Sequence, residues 1–166
     1  QFLRWKILER LTASKIPFEW RGLDCLAFEN GTNLDDVLQM GYEVIVQDYN
    51  SQQTLNYIKE NKSLFKTPNI DMWDCCAASG GKSIMYYDFM HLKSKLTVSD
   101  IRLSILQNLH QRFRKAGIDK YDYFVCDLAK GESPLPNIHY STIICDVPCS
   151  GSGTWGRTPE QLYFFK

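Results

Sequence analysis

The chain has 166 residues, 19 acidic and 19 basic side chains, and a formal net charge of +0. Hydrophobic residues make up 44% and aromatic residues 13%, enough for the core of one domain or of a domain with a small appendage. Without an overall basic field, nucleic-acid binding would depend on local patches. No run of about 18 apolar residues occurs and no signal peptide opens the chain, so we expect a cytoplasmic protein without a membrane partner.

The first 46 residues predict a small α+β N-terminal appendage. A helix is expected over residues 1–15, strands over 23–28 and 42–46, and a short helix over 33–40 with Asn33 as its cap. This block is too small for a convincing core of its own, so we expect it to pack on the main domain. We expect it either to be a structural appendage alone or to help bind the substrate.

From residue 47 to residue 166, strands and helices alternate. Each predicted strand is short and apolar, and the helix after the second strand is amphipathic and closed by Gly117. This alternation predicts an α/β domain with a parallel, doubly wound sheet. Strands are predicted at residues 70–75, 96–100, 123–127 and 142–146, and helices at 51–61, from 83 onward and at 101–116.

The six cysteines contain no C-x-x-C pair, and several fall on apolar strands. Such thiols usually behave as small buried hydrophobic groups. We expect reduced thiols, no disulfide framework and no metal site. The cysteines are at positions 25, 75, 76, 126, 145 and 149.

The turn after the first of these strands lacks bulky side chains, so a ligand can approach its backbone. Gly81-Lys82-Ser83 resembles the end of a phosphate-binding P-loop, but Cys76 stands where that pattern needs a glycine. The alternative is a glycine-rich turn without a ligand. The small residues of the turn are Cys76, Ala77, Ala78, Ser79, Gly80 and Gly81.

Four carboxylates, Asp74, Asp100, Asp127 and Asp146, end the four predicted strands. Ligands of open α/β sheets bind outside these ends, and each aspartate alone could equally cap a helix. Four carboxylates on one edge repel one another, which favours a ligand. The second can accept the hydroxyls of a ribose and the third can reach an adenine amino group. We expect an adenosine-like ligand, and S-adenosyl-L-methionine would also explain the tolerated negative charge.

The segment Asp146-Val-Pro-Cys149 follows the fourth strand. Enzymes that methylate amino groups of bases place an aromatic residue where Cys149 stands. A thiol instead suits methylation of carbon 5 of a pyrimidine, which needs a thiolate to add to carbon 6 first. The alternative reading of Cys149 is an ordinary loop cysteine.

Two long motifs, Asp74-x-Cys-Ala-Ala-Ser-Gly-Gly-Lys82 and Asp146-Val-Pro-Cys-Ser-Gly-Ser-Gly-Thr154, resemble motifs I and IV of the RsmB/NOL1/NOP2/Sun family of RNA cytosine-5 methyltransferases. Val46-Gln47-Asp48…Ser51-Gln52 and Trp155-x-Arg157-x-Pro159-Glu160 resemble that family too. The resemblance covers about residues 42 to 166. It implies a Rossmann-like class I S-adenosylmethionine-dependent fold and an RNA substrate, either rRNA or tRNA.

The resemblance also implies roles for the site residues. Residues 76–82 would wrap the methionine part of the cofactor, Asp100 would meet the ribose and Asp127 the adenine, and Asp146 would lie at the active-site end. The candidate catalytic residues are Cys149, Asp146 and Lys82. Ser79 stands where the family commonly has proline.

Cys149 matches the earlier of the family's two active-site cysteines, which assists release of the covalent product. The nucleophile is the later one, in a Thr-Cys motif that lies beyond Lys166. We therefore expect a fragment that lacks the C-terminal strands and does not turn over by itself. Two alternatives remain open: a cytosine-5 methyltransferase of the DNA type with Cys149 as nucleophile, and a non-catalytic nucleotide-binding α/β domain.

For RNA, the sequence offers Arg112, Arg114 and Lys115 on one predicted helix. They predict weak, salt-dependent binding to RNA. The competing interpretation, a solvated helix face, is the more ordinary one.

Overall fold

The N-terminal part of the chain folds around one helix. The computed structural model describes residues 2–22, 24–61, 71–90, 95–131, 139–147 and 163. Helix α1 (Phe2–Ala13) buries Ile7 and Leu11 against Leu38. Strands β1 (Glu19–Trp20) and β2 (Leu26–Ala27) pair antiparallel beside it.

Two predicted elements of this part do not form. Residues 33–40 make turns rather than a helix, although the side chain of Asn33 accepts the N–H of Asp35 at 3.0 Å, as a helix cap would. The expected strand at 42–46 is reduced to a single bridge between Val44 and Met40. Gly41, with φ of +88°, supplies a left-handed turn between those two residues.

The predicted helix at 51–61 is divided into two. Helix α2 (Tyr49–Gln53) begins at Asp48, whose carboxylate accepts the backbone N–H groups of Asn50 and Ser51. Helix α3 (Asn56–Glu60) follows after a break at residues 54–55.

A parallel four-stranded sheet forms the main domain, as the alternation of strands and helices predicts. Its strand order is β5-β4-β3-β6, and every neighbouring pair is parallel. The chain therefore builds outward from β3 to β5 and then returns to the other side of β3. The elements are β3 (Met72–Asp74), α4 (Gly81–Met90), β4 (Leu96–Asp100), α5 (Leu103–Lys115), β5 (Asp122–Val125), a short 3₁₀ helix (Leu128–Lys130) and β6 (Thr142–Ile144).

The main core lies between this sheet and its helices. All five residues of β4 are buried, and α5 covers the sheet with Leu106, Leu109 and Phe113. Leu103, which the helical spacing also places on the inner face, is instead exposed at the first position of α5. Burial of this apolar face fixes α5 against the sheet.

Among the described residues, two hydrophobic clusters hold most of the buried apolar side chains. One contains Ile7, Leu11 and Leu38, and the other joins the parallel sheet to α3, α4 and α5. A boundary near residue 46 stays a prediction, although Ile45 already packs on the second cluster. Among the residues that the structure describes, no helix combines the length and hydropathy that a membrane crossing requires.

Candidate cofactor and active site

The order of the strands creates a crevice between β3 and β6. At such a switch point the connections leave the sheet in opposite directions, and ligands bind at the carboxyl ends of the two strands. Asp74 ends β3, and Asp146 lies two residues beyond β6. Asp100 ends β4, and Asp127 lies two residues beyond β5. The four predicted carboxylates therefore do share one edge.

Backbone hydrogen bonds shape the loop between β3 and α4. Cys75 N–H donates to the carbonyl of Ile144 at 3.0 Å, and Ala77 N–H donates to the carbonyl of Ser99 at 2.9 Å. These bonds tie the loop to both neighbouring strands. Ala78 has φ of 46°, a left-handed conformation that costs free energy in a residue with a Cβ.

The two glycines of the loop differ in how closely they are packed. A Cβ on Gly80 would lie 2.6 Å from Phe113 Cε1, and its φ of +81° is left-handed as well. A Cβ on Gly81 would lie 3.4 Å from Nε2 of Gln47. Gln47 belongs to the family-like segment before α2, so the structure brings two separated motifs together.

Asp74 is a buried carboxyl beneath the loop, with 1% of its surface exposed. Its Oδ2 accepts the hydroxyl of Ser83 at 2.6 Å, whereas its Oδ1 has no hydrogen-bond partner in the described part of the chain. Burial raises the pKa of Asp74 to about 6, against the lowering effect of the Ser83 hydrogen bond. Asp74 therefore exchanges protons close to neutral pH.

Asp100 is buried as well, with 5% exposure, but its carboxylate is surrounded by donors. Ala78 N–H and both the backbone and the guanidinium of Arg102 donate to it. Burial alone would raise the pKa of Asp100, but the hydrogen bonds from Arg102 and Ala78 outweigh it and hold the pKa below its ordinary value. Asp100 is therefore ionised at neutral pH.

Lys82 and Asp146 meet across the crevice. Lys82 Nζ lies 2.6 Å from Asp146 Oδ2, and their side chains are 15% and 58% exposed.

Asp127 caps the 3₁₀ helix by accepting Ala129 N–H at 3.1 Å, and Lys130 Nζ lies 3.7 Å from its Oδ2. The side chain of Asp127 stays 28% exposed and therefore open to a ligand.

The two cysteines of the loop are poor nucleophiles. Burial raises the pKa of Cys75 to about 12, and burial raises the pKa of Cys76 as well. A thiol attacks as its thiolate, so neither residue supplies much nucleophile at neutral pH. Cys149 and the rest of the second motif lie outside the described residues.

Three site contacts were not foreseen from the sequence. Ser83 supports Asp74, Arg102 pairs with Asp100, and Arg112 Nη1 donates to Ser79 O at 3.1 Å and to Ser79 Oγ at 2.6 Å. Arg112 is half-buried and bonded to the loop, so the solvated-face interpretation does not describe it, whereas its contact with RNA stays a prediction. Helical spacing could have indicated the contact with the loop, because Arg112 lies three residues after the buried Leu109 and so on the same side of α5.

Comparison with known proteins identifies the family. A model of the 16S rRNA methyltransferase RsmB/F family matches residues 61–163. The probable ribosomal RNA small subunit methyltransferase B of Bacillus subtilis is 25% identical over 96% of this chain and 35% of its own length. The ribosomal RNA small subunit methyltransferase B of Xanthomonas campestris is 26% identical over 72% of this chain and 26% of its own length.

The fold agrees with a solved structure. The crystal structure of PH0851 matches with a TM-score of 0.78 and 21% identity, covering 98% of this chain and 36% of that one. The Rossmann-like class I methyltransferase fold expected from the sequence is thereby confirmed, and the chain spans about a third of the length of the Bacillus relative. The matched motif regions and this fold lead to one conclusion: the chain belongs to the RsmB/F family of 16S rRNA methyltransferases.

Proposed function

We propose that the chain forms the cofactor-binding part of an enzyme that methylates carbon 5 of a cytosine in small-subunit ribosomal RNA, with S-adenosylmethionine as methyl donor. The observation that carries the proposal is the family match over residues 61–163. The choice of rRNA rests on the names of the relatives, and tRNA is the competing substrate. The choice of cytosine rests on the Asp146-Val-Pro-Cys149 motif.

The edge of the sheet fits this cofactor. S-adenosylmethionine presents a sulfonium, an ammonium and ribose hydroxyls, all of which favour anionic acceptors. The site offers the carboxylates of Asp100, Asp127 and Asp146, a loop without bulk, and the buried, unpaired Oδ1 of Asp74. The same carboxylates would repel a polyphosphate. We assign residues 76–82 to the methionine part, Asp100 to the ribose and Asp127 to the adenine.

At the active-site end, Lys82 fixes the orientation of Asp146. The 2.6 Å contact holds the carboxylate in place, so that it can face the ring nitrogen and amino group of the cytosine as charge develops there. The cofactor supplies a methyl group on positively charged sulfur. The role of Lys82 in this arrangement is to position Asp146 and to balance its charge.

Carbon 5 of cytosine becomes nucleophilic after a cysteine thiolate adds to carbon 6. Carbon 5 then takes the methyl group, its proton leaves to a base, and the thiolate is expelled. Because Cys75 and Cys76 hold raised pKa values, we assign neither to this step. We assign product release to Cys149 and the attack to a later cysteine of the parent protein.

The test uses the full-length parent protein, with unmodified small-subunit rRNA and tRNA as parallel substrates. We expect methyl transfer from labelled S-adenosylmethionine to rRNA, and bisulfite sequencing should find one protected cytosine. Label found in tRNA alone would make tRNA the substrate, and label on another base would overturn the cytosine assignment. Tighter binding of ATP than of S-adenosylmethionine would support a nucleotide-binding domain of another kind.

A further inference from the structure

The carboxylate of Asp100 has no acceptor position left. Its Oδ1 accepts the backbone N–H and the Nε–H of Arg102, both at 3.0 Å. Its Oδ2 accepts Ala78 N–H at 3.0 Å and Arg102 Nη2 at 3.2 Å. Two carboxylate oxygens offer about four lone-pair sites in all. A ribose hydroxyl that approaches Asp100 therefore has to replace one of the donors already present.

The four donors differ in how easily they can leave. Ala78 N–H belongs to the loop that the neighbouring strands hold, and Arg102 N–H belongs to the backbone of the N-cap residue of α5. The other two donors belong to the guanidinium of Arg102, whose side chain is 57% exposed. This guanidinium can turn out into solvent without any movement of the backbone. It is therefore the donor that a ligand can replace.

We propose that the Arg102 guanidinium is a placeholder that the two ribose hydroxyls of the cofactor displace from Asp100. The inference rests on the proposed function, because it takes the ligand to be an adenosine compound. A ribose offers two neighbouring O–H donors, and the guanidinium contributes two N–H donors, so the exchange keeps the number of hydrogen bonds on Asp100 unchanged. The guanidinium supplies the counter-charge of this buried carboxylate.

The placeholder has a measurable consequence for affinity. Because the ribose has to break an ion pair, Arg102 weakens binding relative to a protein in which Asp100 keeps its two backbone donors alone. If the guanidinium instead stays in place and contacts the ligand, its removal weakens binding. The two arrangements therefore predict changes of opposite sign.

The test compares the wild-type chain with Arg102→Met by calorimetric titration with S-adenosylhomocysteine, which carries no net charge near neutral pH. Methionine keeps the length of the side chain and removes its donors. We expect binding to tighten at least about threefold, the size expected for loss of a half-exposed ion pair. Arg114→Met, on the exposed part of the same helix, should leave the affinity unchanged.

Salt supplies a second readout. Screening weakens the Arg102–Asp100 pair, so wild-type affinity should rise between low and high ionic strength, while that of Arg102→Met should stay flat. Equal or weaker binding by a folded Arg102→Met protein would overturn the placeholder and leave the proposed function standing. Absence of binding by both proteins would overturn the proposed function, and the placeholder with it.

Discussion

Lys82 Nζ and Asp146 Oδ2, 2.6 Å apart, join the first turn of α4 to the segment that follows β6. The contact links the two motifs that the family resemblance rests on, 64 residues apart in the chain. Lys82 is the less exposed partner, with 15% of its side-chain surface exposed. Water therefore screens its attraction to Asp146 less than it would screen that of a fully exposed lysine. The ion pair therefore defines the end of the crevice where we place the target base.

We predict that Lys82→Met lowers methylation by the full-length protein at least about tenfold, because Asp146 loses its orientation and counter-charge. A matched control is Lys95→Met. Lys95 Nζ lies 2.8 Å from Asp122 Oδ2, but this pair stands at the opposite, amino-terminal edge of the sheet. Rates measured at saturating cofactor should fall for Lys82→Met alone, and an equal fall in both variants would contradict a role at the site.

The glycines allow a test of how closely the loop is packed. Gly80 and Gly117 both have left-handed φ, of +81° and +73°, but a Cβ meets Phe113 at 2.6 Å in the first case and no atom within 4 Å in the second. We predict that Gly80→Ala destabilises the chain by about 1–3 kcal/mol more than Gly117→Ala, the usual cost of overpacking. Urea unfolding of the two variants measures the difference, and equal losses would show that backbone strain alone matters.

Arg112 should contribute to cofactor affinity although it lies behind the loop. Its two hydrogen bonds to Ser79 hold the segment between Ala78 and Gly80 in position. We predict that Arg112→Ala weakens S-adenosylhomocysteine binding about fivefold, as expected for a hydrogen bond worth about 1 kcal/mol. Arg114→Ala is the control. In a double-mutant cycle with Ser79→Ala the two effects should not add, whereas additive effects would separate Arg112 from the loop.

These contacts show what the sequence could and could not predict. The parallel sheet and the shared edge of Asp74, Asp100, Asp127 and Asp146 follow from apolar runs that each end in a carboxylate. The failures include the helix expected at 33–40, where Asn33 makes a cap-like bond but turns follow, and the helix expected at 51–61, which is divided in two. The spacing of residues within one segment also does not show which of its side chains contact another segment. The Arg112–Ser79 contact spans 33 residues, so it became visible only in the fold.

Asp74 should make stability depend on pH. Its pKa is raised from 3.8 to about 6 in the folded protein, so between about pH 4 and pH 6 the folded state binds more protons than the unfolded state. The free energy of unfolding therefore falls as pH rises through this window. Carboxyl groups with lowered pKa values, such as Glu43, change the free energy of unfolding in the opposite direction. The contribution of Asp74 is therefore measured as the difference between wild type and a variant at Asp74.

We predict that Asp74→Asn gains stability relative to wild type as pH increases. The gap should grow by about 1.4 kcal/mol for each unit of pKa shift and level off above pH 6 to 7. Urea unfolding at intervals between pH 4 and pH 8 measures it. A gap that stays constant over this range would mean that Asp74 keeps an ordinary pKa in spite of its burial.

The last prediction concerns Cys149 in the full-length protein. If a later cysteine attacks carbon 6, Cys149→Ala should still form the covalent adduct with RNA but release it slowly. The adduct decays only after the carbon-5 proton has left and the thiolate is expelled, so loss of the group that assists this step traps it. A denaturation-resistant complex of protein and RNA should then accumulate on gels. Cys145→Ala, a change at an exposed cysteine on the same segment, should not trap it.

The alternative gives the opposite result. If Cys149 is itself the nucleophile, Cys149→Ala abolishes both the adduct and methylation, because no thiolate reaches carbon 6. Asp146→Asn should lower methylation under either mechanism, since the carboxylate is needed beside the ring as charge develops. It should not trap the adduct, because Asp146 acts before the thiolate leaves. An adduct-free, inactive Cys149→Ala protein that still binds cofactor and RNA would therefore assign the attack to Cys149.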